Sequence, residues 1–183
     1  MKKSDLRTQL RRTRDALTDR PARSAAICMR LLELPAYQAA SAIHCYLSMG
    51  SEVDTLPLIS AALAQGRRVA VPIVGPNRSL RHCWISSLDP AVFIAGPLGT
   101  RKPRHNDPAF VGDWALIVVP LLGFNQRGQR IGYGGGYYDR HLPTDSALTV
   151  GVAFAAQALD LDFAEPHDYP LDLIITEETS IMP

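Results

Sequence analysis

Cysteine is scarce in this sequence. The 183 residues include three cysteines, Cys28, Cys45 and Cys83, which are odd in number and widely spaced. This arrangement argues against a disulfide framework and against a zinc site. The five histidines are also scattered and show no ligand spacing. We therefore expect neither structural disulfides nor a zinc centre.

Long apolar runs are also lacking. The longest, Ala115 to Phe124, is interrupted by proline and glycine. It is shorter than the roughly 20 residues that a membrane helix needs. The N-terminus is basic but lacks the apolar core of a signal peptide. These absences predict a cytoplasmic protein without membrane contact.

The chain carries no excess of one charge, since its formal net charge is +1. The charges are nevertheless segregated. Residues 1–30 hold nine basic and three acidic side chains, and residues 139–183 hold nine acidic and one basic. A basic first segment can bind nucleic acid, bind polyphosphate or pair with the acidic tail of its own fold. Nucleic acid is the least favoured partner, because the segment has no RNA-binding motif and no stacking aromatic residue.

The composition, 46% hydrophobic and 20% charged, is typical of a soluble globular protein with one core. We predict a single domain over residues 1–183. Helix and strand candidates alternate, which predicts an α/β fold with three layers (α/β/α) and a mainly parallel central sheet. The predicted helices lie at 3–18, 21–34, 55–66 and 136–141, the predicted strands at 42–47, 68–73, 80–85, 114–119, 148–154 and 173–176, and a long surface loop at 96–108.

The first predicted helix, starting near Ser4 or Asp5, carries two stripes. Leucines form one of them, and a basic stripe lies beside it, made of Lys3, Arg7, Arg11 and Arg14. Such a stripe borders the buried edge of the helix and either faces a cleft or is a solvated basic face. Spacing alone leaves both possibilities open.

Four glycines within five positions mark the segment between a strand candidate and the helix candidate at 136–141. They are Gly132, Gly134, Gly135 and Gly136. Glycine takes positive φ and allows close approach, so that successive N–H groups converge on an anion, and a following helix start adds its dipole. A flexible turn is the alternative, but it would lose entropy on folding without contributing packing. The segment predicts a phosphate cradle, although it is neither a P-loop nor a dinucleotide-binding motif.

The stretch Gly-Tyr-Gly-Gly-Gly-Tyr-Tyr-Asp-Arg at 132–140 resembles the motif of the 5-formyltetrahydrofolate cyclo-ligases, also called methenyltetrahydrofolate synthetases. Similar segments are spread over nearly the whole chain. They are Lys3 with Leu6-Arg7, Tyr46-Leu47-Ser48, Glu52-Val53-Asp54-Thr55, Pro120, Gly123-Phe124, Gly151-Val152-Ala153-Phe154 with Gln157, His167-Asp168, Leu171-Asp172 and Ile175-Thr176-Glu177. Two positions depart from the pattern: Asn125 stands where many relatives have an acid, and Lys102-Pro103 where bacterial relatives often have Glu-Pro.

The resemblance implies ATP as co-substrate, held by N–H donors, cations and a magnesium ion. The implied ATP contacts are Lys3, Arg7, Arg130, Gly132, Gly134, Gly135, Gly136, Tyr137 and Tyr138. Arg130, Tyr138 and Asp139 are the implied catalytic residues. Asp139 is the leading magnesium contact, unless it is a salt-bridge partner or a helix-start acid. Asp168 and Asp172 compete for a second metal contact.

The folate contacts implied by the resemblance are Leu47, Met49, Glu52, Tyr133 and Tyr137. Glu52 would accept hydrogen bonds from the N–H groups of the reduced pterin. Its alternative role is that of a solvated loop acid. Of Tyr137 and Tyr138, one is expected in the core and the other against the pterin or closing the cleft.

The implied reaction is the ATP-dependent closure of 5-formyltetrahydrofolate to 5,10-methenyltetrahydrofolate, with release of ADP and phosphate. The expected state is a monomer, with small-molecule partners and no nucleic acid. Three alternatives compete: a sugar-phosphate isomerase or coenzyme A-transferase-like enzyme, a non-catalytic regulator that binds nucleotide or folate, and an RNA-binding protein. The glycine segment together with Lys3, Arg7 and Glu52 favours the cyclo-ligase.

Overall fold

The apolar run at 116–120 forms a central strand of the sheet. The computed structural model describes residues 2–183. Its helices are α1 (Lys3–Asp15), α2 (Arg20–Leu32), α3 (Pro35–Ala39), α4 (Leu56–Ala64) and α5 (Tyr137–His141). Its strands are β1 (Ala42–Cys45), β2 (Arg68–Val74), β3 (Leu80–Ile85), β4 (Phe93–Ala95), β5 (Arg101–Pro103), β6 (Pro108–Ala109), β7 (Leu116–Pro120), β8 (Gly123–Phe124), β9 (Arg130–Ile131), β10 (Leu148–Val152), β11 (Leu173–Ile175) and β12 (Ser180–Ile181).

Eight strands form the main sheet, in the order β12-β11-β10-β7-β1-β2-β3-β6. The five strands β11, β10, β7, β1 and β2 run parallel. At the ends, β12 pairs with β11, β3 with β2 and β6 with β3, each in antiparallel orientation. The residues of β1 are all buried, and so are most of those of β7, as expected of parallel strands covered on both faces. The prediction of an α/β fold with a mainly parallel sheet is confirmed.

The two faces of the sheet carry different cover. The helices α2, α3 and α4 pack on one face, where Ile27, Tyr37 and Ile59 join the core. The other face is covered by α5, the turn after it and loops, with Trp114 and Leu142 in the core. The layer on this second face is thin, because α5 has only five residues. Consequently the helix dipole expected behind the glycine segment is weaker than a long helix would supply.

Several predicted boundaries shift. The first helix ends at Asp15, not at residue 18, and it begins at Lys3, next to the predicted start near Ser4 or Asp5. The predicted loop at 96–108 contains β5, which pairs with β4 as a small separate hairpin. Strand β3 is antiparallel because a short turn joins it to β2, whereas a parallel neighbour would need a crossover of a dozen or more residues.

The fold brings two loops to one edge of the sheet. β1 and β7 are parallel neighbours, with Cys45 opposite Val118. The loop 46–54 after β1 and the segment after β7, which leads to β8, β9 and the glycines, therefore start side by side. No helix among residues 2–183 has both the length and the apolar content needed to cross a membrane.

Candidate functional site

The two loops, α1 and the tip of the β4–β5 hairpin enclose one large cleft of about 1230 Å³. Every predicted site residue except Asp172 lines it. These residues are Lys3, Arg7, Leu47, Met49, Glu52, Arg130, Gly132, Tyr133, Gly134, Gly135, Gly136, Tyr137, Tyr138, Asp139 and Asp168. The structure thus brings together side chains that lie up to 165 positions apart in the sequence.

Asp172 is not brought to the cleft. Its Oδ2 accepts hydrogen bonds from the backbone N–H of Thr149 at 2.8 Å and from the Thr149 hydroxyl at 2.7 Å. The Thr149 hydroxyl also lies 2.9 Å from the backbone N–H of Asp172. This carboxylate ties the start of β11 to β10, and we therefore omit Asp172 from the metal contacts.

The glycine segment has the backbone geometry that its composition predicted. Gly134 and Gly136 have φ of +92° and +66°, in the left-handed region that favours glycine. A Cβ on Gly134 would lie 3.3 Å from the guanidinium carbon of Arg7. Arg7 Nε donates a hydrogen bond to the carbonyl oxygen of Gly132 at 3.0 Å. The loop therefore follows the basic helix closely, and a side chain at Gly134 would force them apart.

Lys3, at the N-terminus of α1, reaches the acidic segment at 165–168. Its Nζ lies 2.6 Å from Asp168 Oδ2 and 2.9 Å from Glu165 Oε2. Burial acts to lower the pKa of Lys3, but the hydrogen bonds to Asp168 and Glu165 outweigh it and raise the pKa. Lys3 is therefore a fixed cation at this end of the cleft. Sequence reasoning missed Glu165, although it lies only two and three residues from His167 and Asp168.

Arg130 lies under the glycine segment with a side chain that is 3% exposed. Its Nη2 donates to Asp139 Oδ1 at 2.7 Å, and its Nη1 donates to the carbonyl of Tyr169. The backbone N–H of Tyr169 approaches the same Asp139 oxygen at 3.4 Å. Burial lowers the pKa of Arg130, and the charge of Asp139 opposes this effect. The salt-bridge role considered for Asp139 is thus real, and it orients the carboxylate at the cleft.

The donor set near Arg130 suits magnesium. Asp139 Oδ2 has no hydrogen-bond partner among residues 2–183, because the contacts of this carboxylate all go to Oδ1. Asp168 likewise uses Oδ2 for Lys3 and for the backbone N–H of Glu165, which leaves Oδ1 available. Magnesium is usually held by one or two carboxylates together with substrate phosphates. Glu165, His167 and Asp168 also place ligand atoms within 4.8 Å of one another, but Lys3 already contacts two of the three.

Glu52 lies at the other end of the cleft and is only 8% exposed. Its Oε1 accepts from the Tyr133 hydroxyl, and its Oε2 accepts from the backbone N–H of Met49 at 2.9 Å. Burial raises the pKa of Glu52, and these hydrogen bonds act against that rise. The alternative of a solvated loop acid is therefore wrong: Glu52 is a buried carboxyl that accepts one hydrogen bond at each oxygen and keeps further acceptor capacity.

Tyr137 and Tyr138 both line the cleft, but they differ in packing. Tyr138 packs against the core on the thinly covered face of the sheet, whereas Tyr137 does not belong to that cluster. The Tyr138 hydroxyl is buried and has no hydrogen-bond partner among residues 2–183. Burial raises its pKa, so that the phenol stays protonated. An unpaired buried hydroxyl lacks the hydrogen bonds that water would supply, and a ligand can provide one.

Asn125, one of the two departures from the family pattern, stabilises the turn before β9. Its Oδ1 accepts from the N–H groups of Arg127 at 3.0 Å and of Gln129 at 3.3 Å. Its Nδ2 donates to the carbonyl of Leu161 at 2.9 Å. A carboxylate could not donate this last hydrogen bond, because it only accepts. The amide of Asn125 therefore holds the turn through a contact that an acid could not make. Lys102 lies in β5, opposite Ile94.

Comparison with known proteins identifies the class. The profile of the 5-formyltetrahydrofolate cyclo-ligase family matches residues 1–177, and the chain belongs to this family. It is 28% identical over 152 residues to the 5-formyltetrahydrofolate cyclo-ligase of Escherichia coli K12, with 80% of this chain and 84% of that protein covered. It is 27% identical over 187 residues to that of Mycolicibacterium smegmatis, with 98% and 96% covered.

The solved structures agree. The solution structure of Aquifex aeolicus 5,10-methenyltetrahydrofolate synthetase superposes with a TM-score of 0.86 at 29% identity, covering 100% of this chain and 93% of that one. The predicted family and enzyme class, a ligase, are confirmed. The readings as an isomerase, a transferase or an RNA-binding protein lose their support.

Proposed function

We propose that the protein catalyses the ATP-dependent cyclisation of 5-formyltetrahydrofolate to 5,10-methenyltetrahydrofolate, releasing ADP and phosphate. The observation that carries the proposal is that the two ends of the cleft differ in their chemistry. Its phosphate end holds the glycine loop, Lys3 and Arg7, and its other end holds the buried carboxyl of Glu52. A single cleft of about 1230 Å³ has room for a nucleotide and a pterin together.

The chemistry explains why ATP is needed. The formamide oxygen is a poor leaving group, and N5 shares its lone pair with the carbonyl. Transfer of the γ-phosphoryl group of ATP to the formyl oxygen makes that oxygen a good leaving group. N10 then attacks the formyl carbon and loses its proton, and phosphate departs with the oxygen. The methenyl bridge between N5 and N10 remains.

Such a reaction needs alignment and charge neutralisation, not a protein nucleophile. The three cysteines fit this view, because all are buried and burial raises the pKa of each thiol. None is therefore a thiolate at neutral pH. The protein acts by holding the two substrates in one orientation and by excluding water from the phosphorylated intermediate.

At the phosphate end, the N–H groups of Gly132, Gly134, Gly135 and Gly136 and the side chains of Lys3 and Arg7 would bind the ATP phosphates. Arg130 would add its charge from below and orient Asp139. Asp139 and Asp168 would hold magnesium, which supplies further charge neutralisation when bound. At Asp168 the metal would use Oδ1, because Lys3 occupies Oδ2.

At the folate end, Glu52 would accept from the pterin N–H groups, with Leu47, Met49, Tyr133 and Tyr137 around the ring. The Tyr138 side chain lines the same cleft, and the charges of both Glu52 and Arg130 act on the pKa of its hydroxyl. It would donate a hydrogen bond to the formyl oxygen or to the transferred phosphoryl group.

The test is an absorbance assay for the methenyl product, combined with ADP detection. Product should form with ATP and magnesium, and should be lost with a non-hydrolysable ATP analogue or a chelator. One ADP should appear for each methenyl group. If the protein binds 5-formyltetrahydrofolate and ATP but yields neither product, the reading as a non-catalytic regulator is correct.

A further inference from the structure

Arg14, at the end of α1, is a buried cation without a carboxylate partner. The residue is 4% exposed and forms no salt bridge among residues 2–183. Its Nε donates to the Ser51 hydroxyl at 3.0 Å, and its Nη1 donates to the Tyr133 hydroxyl at 2.8 Å. A guanidinium rarely remains buried without a function or a strong partner. Two neutral hydroxyls do not balance this charge, which indicates that Arg14 acts on a group beyond them.

Each hydroxyl also donates a hydrogen bond to a carboxylate. Tyr133 donates to Glu52 Oε1, and Ser51 donates to Asp15 Oδ1. Because a guanidinium can only donate, it occupies an acceptor position on each oxygen and leaves the hydroxyl hydrogen for the carboxylate. Arg14 is thus linked to two carboxylates, each through one hydroxyl, and both links have a fixed donor-to-acceptor direction.

This direction favours the ionised form of Glu52. Its Oε1 accepts from Tyr133 and its Oε2 accepts from the N–H of Met49. A protonated carboxyl would lose acceptor capacity and gain a hydrogen, although both of these neighbours already donate to it. The two hydrogen bonds are therefore stronger to the carboxylate than to the neutral acid.

We propose that Arg14 is a positioning residue of the folate site, which acts through the Tyr133 hydroxyl to keep Glu52 ionised as the acceptor for the pterin N–H groups. The proposal rests on the proposed function, and it adds a residue outside the family motif. Its chemistry is specific to a ligand that offers N–H donors to a carboxylate.

The surroundings of Glu52 explain why Arg14 is needed to keep this carboxyl ionised. The titratable and charged groups that act on it come from four elements: Arg14 of α1, Tyr46 after β1, Tyr133 of the glycine loop and Tyr138 of α5. Asp15 of α1 is linked to Arg14 through the Ser51 hydroxyl and has no contact with Glu52. Burial raises the pKa of Tyr46, of Tyr133 and of Tyr138, which therefore stay neutral. The charge that opposes the raised pKa of Glu52 comes from Arg14.

The experiment compares Arg14→Gln with a matched control, Arg11→Gln. Arg11 lies on the same helix, and its guanidinium carbon is 5.9 Å from the Tyr133 ring centroid, against 5.6 Å for Arg14. Only Arg14 donates to the phenol oxygen. The affinities for 5-formyltetrahydrofolate and for ATP are measured by calorimetric titration between pH 5.5 and 8.5, with thermal melting as a check of folding.

In Arg14→Gln, the loss of folate affinity on acidification should occur at a higher pH than in the parent protein. The ionised form binds, so affinity falls as the pH drops through the pKa of Glu52, and removal of Arg14 raises that pKa further. A rise of about one unit gives about tenfold weaker folate binding at the acid end and near-parental binding at pH 8.5. ATP affinity should stay unchanged. Arg14→Lys, which keeps the charge, should restore most of the parental profile, and Arg11→Gln should leave it in place.

Tyr133→Phe gives an independent test that does not depend on the stability of the Arg14 variants. It should reproduce the acid shift, and the double variant with Arg14→Gln should shift no further than either single variant. A folate loss that is equal at every pH would overturn the proposal, and so would additive shifts or the same shift in Arg11→Gln. An inactive parent would instead refute the proposed function, and the two failures are therefore distinguishable.

Discussion

Acidification should destabilise this fold through three histidines buried on the thinly covered face of the sheet. His44 Nε2 and His82 Nδ1 share a hydrogen bond at 3.0 Å, and the ring centroid of His141 lies 4.5 Å from that of His82. Burial lowers the pKa of all three, that of His82 to about 4. The acid that faces the cluster is Asp145, whose Oδ2 lies 3.7 Å from His141 Nε2 and accepts from Trp114.

The sign of the effect follows from proton linkage. A histidine whose folded pKa lies below its unfolded value contributes stability above the unfolded pKa of about 6.5 and loses it as the pH falls towards the folded pKa. Between pH 7.5 and 5.5, each such histidine lowers the free energy of unfolding by about 1.4 kcal/mol. We count only His44 and His82, because Asp145 partly compensates a charge on His141. The expected loss is about 3 kcal/mol, a substantial part of the usual 5–15 kcal/mol.

Urea unfolding at pH 7.5, 6.5 and 5.5 measures this loss. His82→Gln removes one titrating group and keeps a polar side chain near His44, so the loss over the same interval should shrink by about 1.4 kcal/mol. The change with pH is the readout, because it is independent of the intrinsic cost of the substitution. His105→Gln, at an exposed position, is the control. An equal pH dependence in His82→Gln and in the parent would refute the reasoning.

Three variants with substitutions in the cleft test the assignment of its two ends. Lys3→Ala combined with Arg7→Ala should raise the KM for ATP more than that for folate, and an unchanged ATP dependence would leave both side chains with structural contacts only. Asp139→Asn should lose most turnover, with partial rescue by excess magnesium; a thermal collapse without rescue would make Asp139 purely a partner of Arg130. Glu52→Gln should weaken folate binding by about 1.5–3 kcal/mol, roughly tenfold to a hundredfold, with ATP binding nearly unchanged in direct titration. Equal loss for both ligands would mean that Glu52 organises the whole cleft.

The cleft could be predicted because local signals and sheet topology suffice for it. Glu52 follows one strand and the glycines follow the segment after another, and parallel neighbours place such loops at one edge. Positive φ at Gly134 and Gly136 also follows from residue type. Lys3 and Arg7 share one helix face because of their spacing of four.

Contacts between distant side chains could not be predicted in the same way. His44 and His82 lie 38 positions apart, and no spacing rule connects them. For Asp172 the sequence predicted a contact that the structure does not bring to the cleft. The residue follows Leu171 in a motif near the site, yet its carboxylate accepts hydrogen bonds from Thr149 of the neighbouring strand. Arg14 was visible as a member of the basic stripe. Its link to Glu52 depends on Tyr133, whose rotamer only the folded structure reveals.

The same helix and the same loop serve both ends of the cleft. On α1, Lys3 and Arg14 are separated by 11 residues, about 16 Å along the helix axis. On the glycine loop, Tyr133 reaches Glu52 while its neighbour Gly134 lies against Arg7. The separation of the proposed phosphate and folate ends would therefore be fixed by one helix and one loop. The proposed transfer of a phosphoryl group from ATP to a formyl oxygen would require such a fixed separation, because no protein nucleophile is proposed to carry the group between them.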